Sequence, residues 1–204
     1  MSAKKVKTAV LVSGGGTNLQ AIIDAQKSGI IKSGEITLVL SNRYDAYALE
    51  RAKAAGIKTA VVTRKDFGKD FEDRLISVLT ENGIELIVLA GFMVILSKKF
   101  TDTFKNRIIN VHPSLIPSFC GEGYYGLRVH EAALKKGVKV TGATVHFVNE
   151  IPDGGEIIEQ KAVRVYPGDT PERLQKRVMR QAEWKILPKA VEKISERILK
   201  NERL

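Results

Sequence analysis

The sequence predicts an α/β fold: an open, mostly parallel sheet with helices on both faces and an antiparallel C-terminal extension. Three observations predict it. Short apolar runs such as Thr8–Val12 and Leu86–Ala90 read as strands buried on both sides, as in parallel sheets. Segments of helical period separate them, so strand and helix alternate. After Gly137 the pattern changes to two long β segments joined by one loop.

Thr8–Val12 is the first strand, and Gly14–Gly16 turns into a helix in which Leu19, Ile22 and Ile23 recur at helical spacing. Ile36–Leu40, Lys58–Val62, Leu86–Ala90 and Arg107–Val111 are the next strands, with helices over Ala46–Ala55 and Phe71–Leu79. Such βαβ succession implies right-handed crossovers and a Rossmann-like sheet. Val138–Val148 and Glu156–Val165 are expected to pair antiparallel across the loop Asn149–Gly155 and to extend the sheet. Thr170-Pro171 reads as an N-cap and first helical position. That helix is expected to run to Leu187, break at Pro188, and resume with Val191, Ile194 and Ile198 on one face. One domain is expected over residues 1–204, with halves of about 1–105 and about 106–204.

Composition narrows the function. No run is long and apolar enough to cross a bilayer, and Met1–Lys5 lead into a strand without a signal-peptide core. The lone Cys120 has no intrachain partner, so a reducing, cytoplasmic setting is expected. The net charge is +10, but the ten Lys/Arg and five Glu of residues 171–204 spread along helices rather than forming a block. Anionic small molecules are therefore the expected partners, with no nucleic acid and no membrane. No Cys, His or carboxylate cluster has metal-ligand spacing, so no metal is expected.

Three segments carry chemistry. Ser13-Gly14-Gly15-Gly16-Thr17-Asn18 follows a strand and opens a helix, where backbone N–H groups and the helix dipole favour an anion. It has no Gly-Lys-Ser/Thr of a Walker loop, and no acidic residue ends the second strand to hold a ribose diol, so a single phosphate monoester is the expected occupant. Asn110 and His112 stand two apart at the end of a strand and share a face. A neutral hydrogen-bond donor beside an imidazole suits a reaction that builds charge on an oxygen. Asp153, in Ile151-Pro152-Asp153-Gly154-Gly155, is either ordinary turn chemistry or an acid folded over His112, where it would raise the imidazole pKa. His146 reads as a packed or supporting residue, His130 as exposed, and Cys120 as non-catalytic because nothing local would activate its thiol.

Together, Val12–Gln20, Leu89–Met93, Asn110–Pro117, Thr144–Val148 and Asp153–Gly155 resemble the phosphoribosylglycinamide formyltransferase family, folate-dependent enzymes of purine synthesis with the formyltransferase fold. The resemblance implies that Gly15, Gly16, Thr17 and Asn18 hold the phosphate of glycinamide ribonucleotide, with help from Arg107, and that Glu183 binds its ribose hydroxyls. It implies that the co-substrate 10-formyltetrahydrofolate lies against Met93, Val94, Ile95 and Leu96 and is read by Val148, Asn149, Glu150 and Ile151, with Arg64 available to the glutamate tail. The chain departs from the family at Trp184, where His is usual, at Val94, where some relatives carry Arg, and at Glu156, where Pro is common.

By the same resemblance, the substrate amine attacks the formyl carbon while Asn110 and a cationic His112 stabilise the oxygen and Asp153 relays a proton. Three alternatives stay open. Formylation of methionyl-tRNA shares the Pro-Ser-Leu-Ile-Pro element, but such relatives carry an added C-terminal domain. Hydrolysis of formyltetrahydrofolate uses a similar triad, usually with an N-terminal regulatory domain. A non-catalytic nucleotide binder would keep the glycine loop alone. A monomer or homodimer is expected.

Overall fold

The computed structural model describes residues 4–202; Met1–Ala3 and Arg203–Leu204, on which the readings of the N-terminus and of the domain limits partly fall, lie outside the described residues. Seven strands form one sheet in the order β3-β2-β1-β4-β5-β6-β7. They are β1 (Val6–Val12), β2 (Gly34–Ser41), β3 (Lys58–Val61), β4 (Leu86–Leu89), β5 (Ile108–His112), β6 (Val140–Phe147) and β7 (Ile157–Arg164). The first five pair in parallel, and β6 joins β5 antiparallel, as β7 joins β6. The order reverses between β1 and β4, and ligands of open α/β sheets bind beyond the strand ends at such a point.

Helices α1 (Thr17–Lys27), α2 (Tyr47–Ala54), α4 (Phe71–Glu81) and α7 (Pro171–Val178) lie where the apolar period predicts them. Thr170 caps α7, its Oγ1 accepting the Arg173 N–H at 3.3 Å. The short helices α3 (Arg64–Phe67) and α5 (Lys98–Thr103) carry too few turns to leave a period in the sequence. Helix α6 (Leu127–Lys136) leads from the long connection after β5 back to β6.

Helix α8 (Trp184–Leu199) corrects one expectation, because Pro188 lies inside it. The irregular stretch is instead a π turn at Met179–Glu183. A proline ring clashes with the carbonyl four residues back, here that of Trp184. Trp184 has ψ −8°, well off the usual helical value near −42°, which tilts its carbonyl aside and lets the helix continue.

Alternation along the strands sorts residues onto two cores. Val10, Val39, Val88, Ile109 and Val145 pack with Leu19 and Ile22 of α1, Leu174 of α7 and Leu187 and Ile194 of α8. Leu11, Leu38, Ile87 and Ile108 pack on the opposite face with Phe71, Leu75 and Leu79 of α4 and Phe100 of α5. On β5 this leaves Ile109 and Val111 in the first core and turns Asn110 and His112 to the other face.

Candidate active site

The ends of β1, β2 and β4 are tied together by Ser13. Its Oγ donates to Asn42 Oδ1 at 2.6 Å and accepts the Met93 N–H at 2.8 Å. The glycine turn that follows has its carbonyls drawn inward: Gly14 O accepts the Ala48 N–H at 3.0 Å, and Gly15 O accepts Arg51 Nε at 2.8 Å. An approaching anion therefore meets N–H groups and the start of α1. Gly16 must be glycine, since it has φ +71° and a Cβ there would lie 2.6 Å from that of Ala48.

Beyond β5 the chain runs through Pro113–Pro117, with the Ile116–Pro117 peptide cis. The β6–β7 connection brings Asp153 back to the face of β5. In its turn, the Gly154 N–H reaches Ile151 O at 2.9 Å, Pro152 is second, and Asp153 is third with φ +56°. A turn with positive φ at its third position normally takes Gly or Asn there. An aspartate at this place costs about 1 kcal/mol of backbone strain. Gly155 closes the loop, where any Cβ would lie 1.8 Å from Phe147 O.

The result is a compact polar cluster. Asp153 Oδ2 lies 3.3 Å from His112 Nδ1 and accepts the Gly121 N–H at 2.8 Å. Asp153 Oδ1 lies 3.4 Å from His146 Nε2, which is also 3.2 Å from Asn110 Nδ2. The other nitrogens of the two rings face backbone carbonyls: His112 Nε2 meets Phe119 O at 2.8 Å and His146 Nδ1 meets Phe147 O at 2.7 Å. Cross-strand register sets Asn110 opposite His146, and a register shift at Val145/His146 in the β6–β7 pairing adjusts the strand there.

Burial is the larger influence on His112, which is only 4% exposed, and it outweighs the opposing pull of Asp153 and the Phe119 carbonyl. The imidazole pKa is therefore lowered, which corrects the expectation of a raised one. Burial acts on Asp153 in the raising direction, but the nearby His146 and His112 imidazoles and the Gly121 N–H together keep its carboxyl below its ordinary value. His130 is a second correction. It is fully buried rather than exposed, and neither ring nitrogen has a partner. Burial, with His112 nearby, pushes its pKa down to about 4. The signal for this was in the sequence, because Val129, His130 and Ala133 fall on one helical face. The Cys120 thiol is pushed up by burial and by Asp153, which agrees with an inert cysteine.

A cavity of ≈ 840 Å³ collects these groups. Asn110, His112 and Asp153 line it. So do Thr17, Asn18 and Glu183, although Asn18 and Glu183 stand 165 positions apart; Asn18 Nδ2 donates to Glu183 Oε2 at 2.7 Å. Glu183 is 6% exposed, and burial raises its pKa to about 7 against the pull of Asn18. Met93, Val94, Ile95 and Leu96 form an apolar wall, joined by Val148, Asn149, Glu150 and Ile151. Gly15 and Gly16 shape the turn ahead of Thr17. Tyr124 and Tyr125, His130, Gln175 and Met179 complete a lining that motif reading did not assign.

Four expected residues are absent from the cavity lining: Gly15 and Gly16, whose turn stands just ahead of it, and Arg107 and Arg64. Arg107 precedes β5, at the opposite end of the parallel sheet from the glycine turn that follows β1, so it cannot assist a phosphate held there. Arg64 follows edge strand β3, and its guanidinium sits over the Phe71 ring at 5.6 Å. Among the described residues, no group of three or more His, Cys, Asp or Glu is placed to hold a metal ion, and no helix is long and apolar enough to cross a membrane.

Comparison with known proteins agrees with this geometry. The formyl transferase family profile matches residues 6–191. Phosphoribosylglycinamide formyltransferase of Haemophilus influenzae is 45% identical over 192 residues, covering 93% of this chain and 87% of that protein. The trifunctional purine biosynthetic protein adenosine-3 of Gallus gallus is 45% identical over 197 residues, which are 96% of this chain but 19% of that much longer protein. The crystal structure of glycinamide ribonucleotide transformylase 1 from Symbiobacterium toebii superposes with a TM-score of 0.88 at 41% identity, covering 94% of this chain and 88% of that one. Motif, cavity and likeness over nearly the full length agree: the chain belongs to the formyl transferase family.

Proposed function

We propose that this chain transfers the formyl group of 10-formyltetrahydrofolate to the primary amine of 5'-phosphoribosylglycinamide. One observation carries the reading: the Asn110, His112 and Asp153 cluster opens into the same cavity as the Asn18–Glu183 pair beside the glycine turn. A reacting carbonyl and a ribose-bound phosphate can thus be held together. The apolar wall of Met93–Leu96, with Met93 54% and Ile95 65% exposed at its rim, suits a flat heteroaromatic ring.

The acceptor amine is the nucleophile, so no protein nucleophile is required. As it attacks the formyl carbon, charge gathers on the carbonyl oxygen, and Asn110 supplies an N–H to it; one such donor contributes roughly 10²–10³ in rate. The resting His112 carries its hydrogen on Nε2, facing Phe119 O, and turns the bare Nδ1 toward Asp153. The one proton that has to move leaves the attacking amine and passes by way of Asp153 and the bare Nδ1, with the carboxylate stabilising the imidazolium formed. It ends on the departing folate nitrogen as its bond to the formyl carbon breaks, which returns His112 to its neutral form. The folate and nucleotide substrates are the only partners this chemistry needs.

The test is a comparison of acceptors. The protein is mixed with 10-formyltetrahydrofolate, and release of tetrahydrofolate is followed with glycinamide ribonucleotide, with formylatable tRNA, or with neither. Turnover confined to the ribonucleotide supports the reading. Equal release without an acceptor makes the protein a hydrolase, and release only with tRNA assigns it the other acceptor.

A further inference from the structure

His146 is buried, 1% exposed, and the mechanism above gives it no part. Its surroundings define its hydrogens. Nδ1 lies 2.7 Å from the carbonyl oxygen of Phe147, an acceptor that only an N–H can face at that distance. The neutral ring therefore carries its hydrogen on Nδ1, and Nε2 holds a lone pair. The group 3.2 Å from Nε2 is the terminal amide of Asn110. A carboxamide offers either an oxygen or an NH₂ to a neighbour, and only the NH₂ can satisfy a lone pair.

We propose that His146 is a positioning residue for formyl transfer: its Nε2 accepts one N–H of Asn110 and fixes the carboxamide so that the second N–H is left for the oxygen on which charge develops. This rests on the role given to Asn110 above. Without the lock, the amide of Asn110 can turn through half a rotation about its last torsion and present its oxygen to a developing oxyanion. An N–H that stabilises would be replaced by a repulsive contact. The lock is rigid because His146 sits on β6, directly opposite Asn110 in the β5–β6 ladder. His146 Nε2 also lies 3.4 Å from Asp153 Oδ1, so an effect through Asp153 has to be separated from one through Asn110.

Ring ¹⁵N resonances of the unmodified protein, at a pH where His146 is neutral, are expected to show a protonated Nδ1 and an unprotonated Nε2. A hydrogen on Nε2 of the neutral ring would overturn the proposal, whatever the activity. In kinetics, His146→Phe is expected to lower kcat about 10- to 100-fold with KM for both substrates within about threefold. His146→Gln, which keeps an acceptor near the Nε2 position, is expected to recover most of that loss. In an Asn110→Ala background the His146→Phe substitution should add little, since the residue it positions is already gone. Full additivity in that cycle would place the effect on Asp153 and refute the lock. Because the ring assignment needs no turnover, it stands or falls separately from the assignment of the acceptor substrate.

Discussion

Replacing Glu183 by Gln tests the electrostatics of the nucleotide end of the cavity. Burial raises the Glu183 carboxyl from its ordinary 4.5 to about 7, so the native state holds a proton there that the unfolded chain has released. A shift of that size corresponds to about 3 kcal/mol. A raised pKa stabilises the fold fully below the unfolded value of 4.5, and the contribution is lost as pH climbs through about 7. Glu183→Gln mimics the protonated acid at every pH. The variant should match the unaltered protein near about pH 4.5 and become the more stable by about 3 kcal/mol at about pH 8. Urea unfolding at several pH values across that window measures this difference. His130 pulls the other way between its unfolded 6.5 and about 4, because the native state resists charging it. Subtracting the two proteins' curves cancels that contribution and leaves the one from Glu183. Parallel curves across the whole range would show that the buried acid does not carry the shift. Curves that diverge as expected make the native glutamate a stability cost above neutral pH that is retained for binding, and Glu183→Gln should then weaken nucleotide binding while stabilising the fold.

Asp153→Asn tolerates the positive φ and keeps an acceptor for the Gly121 N–H, so it should fold within about 1 kcal/mol of the native protein and still lose at least about 10²-fold in kcat; near-normal single-turnover rates would remove Asp153 from the proton path. Thr17→Ala should weaken binding of glycinamide ribonucleotide more than binding of folate in calorimetric titrations, and equal losses would count against the phosphate assignment. His130→Phe removes two unpartnered buried nitrogens and should lessen the acid-side loss of stability between 6.5 and about 4, leaving the share that comes from the lowered pKa of His112, which unfolding melts of the two proteins in that window would reveal.

The sheet was legible because its strands are buried on both faces and so read as unbroken apolar runs. The antiparallel pair was legible for a related reason: the long segments on either side of Asn149–Gly155 are too close in sequence for a parallel crossover. What escaped was short or compensated. Helices α3 and α5 have 4 and 6 residues, less than two turns each. The break expected at Pro188 failed because the backbone adapts one turn earlier, at a π turn with no composition signature. Arg107 was misplaced by adjacency alone. Its neighbour Ile108 begins the strand whose other end holds His112, and a strand of five residues spans the distance between opposite rims of the sheet.

The site was only half legible, for a deeper physical reason. Reading a sequence assumes that each residue obeys its local preference, and the cavity is where this chain does not. Asp153 occupies a left-handed turn position that favours Gly, Glu183 is a carboxyl taken almost wholly out of water, and His130 is buried with neither nitrogen paired. Each is unfavourable alone, and each lines one cavity. Exceptions scattered over a surface would be noise, but exceptions gathered on a single cavity indicate that the fold tolerates them for what they do there. Asn110 and His112 escaped this problem because strand alternation alone puts them on one face. His146 was legible as a supporting residue but not as Asn110's partner, because that pairing depends on the register of a strand 36 residues away in sequence, which no local pattern encodes.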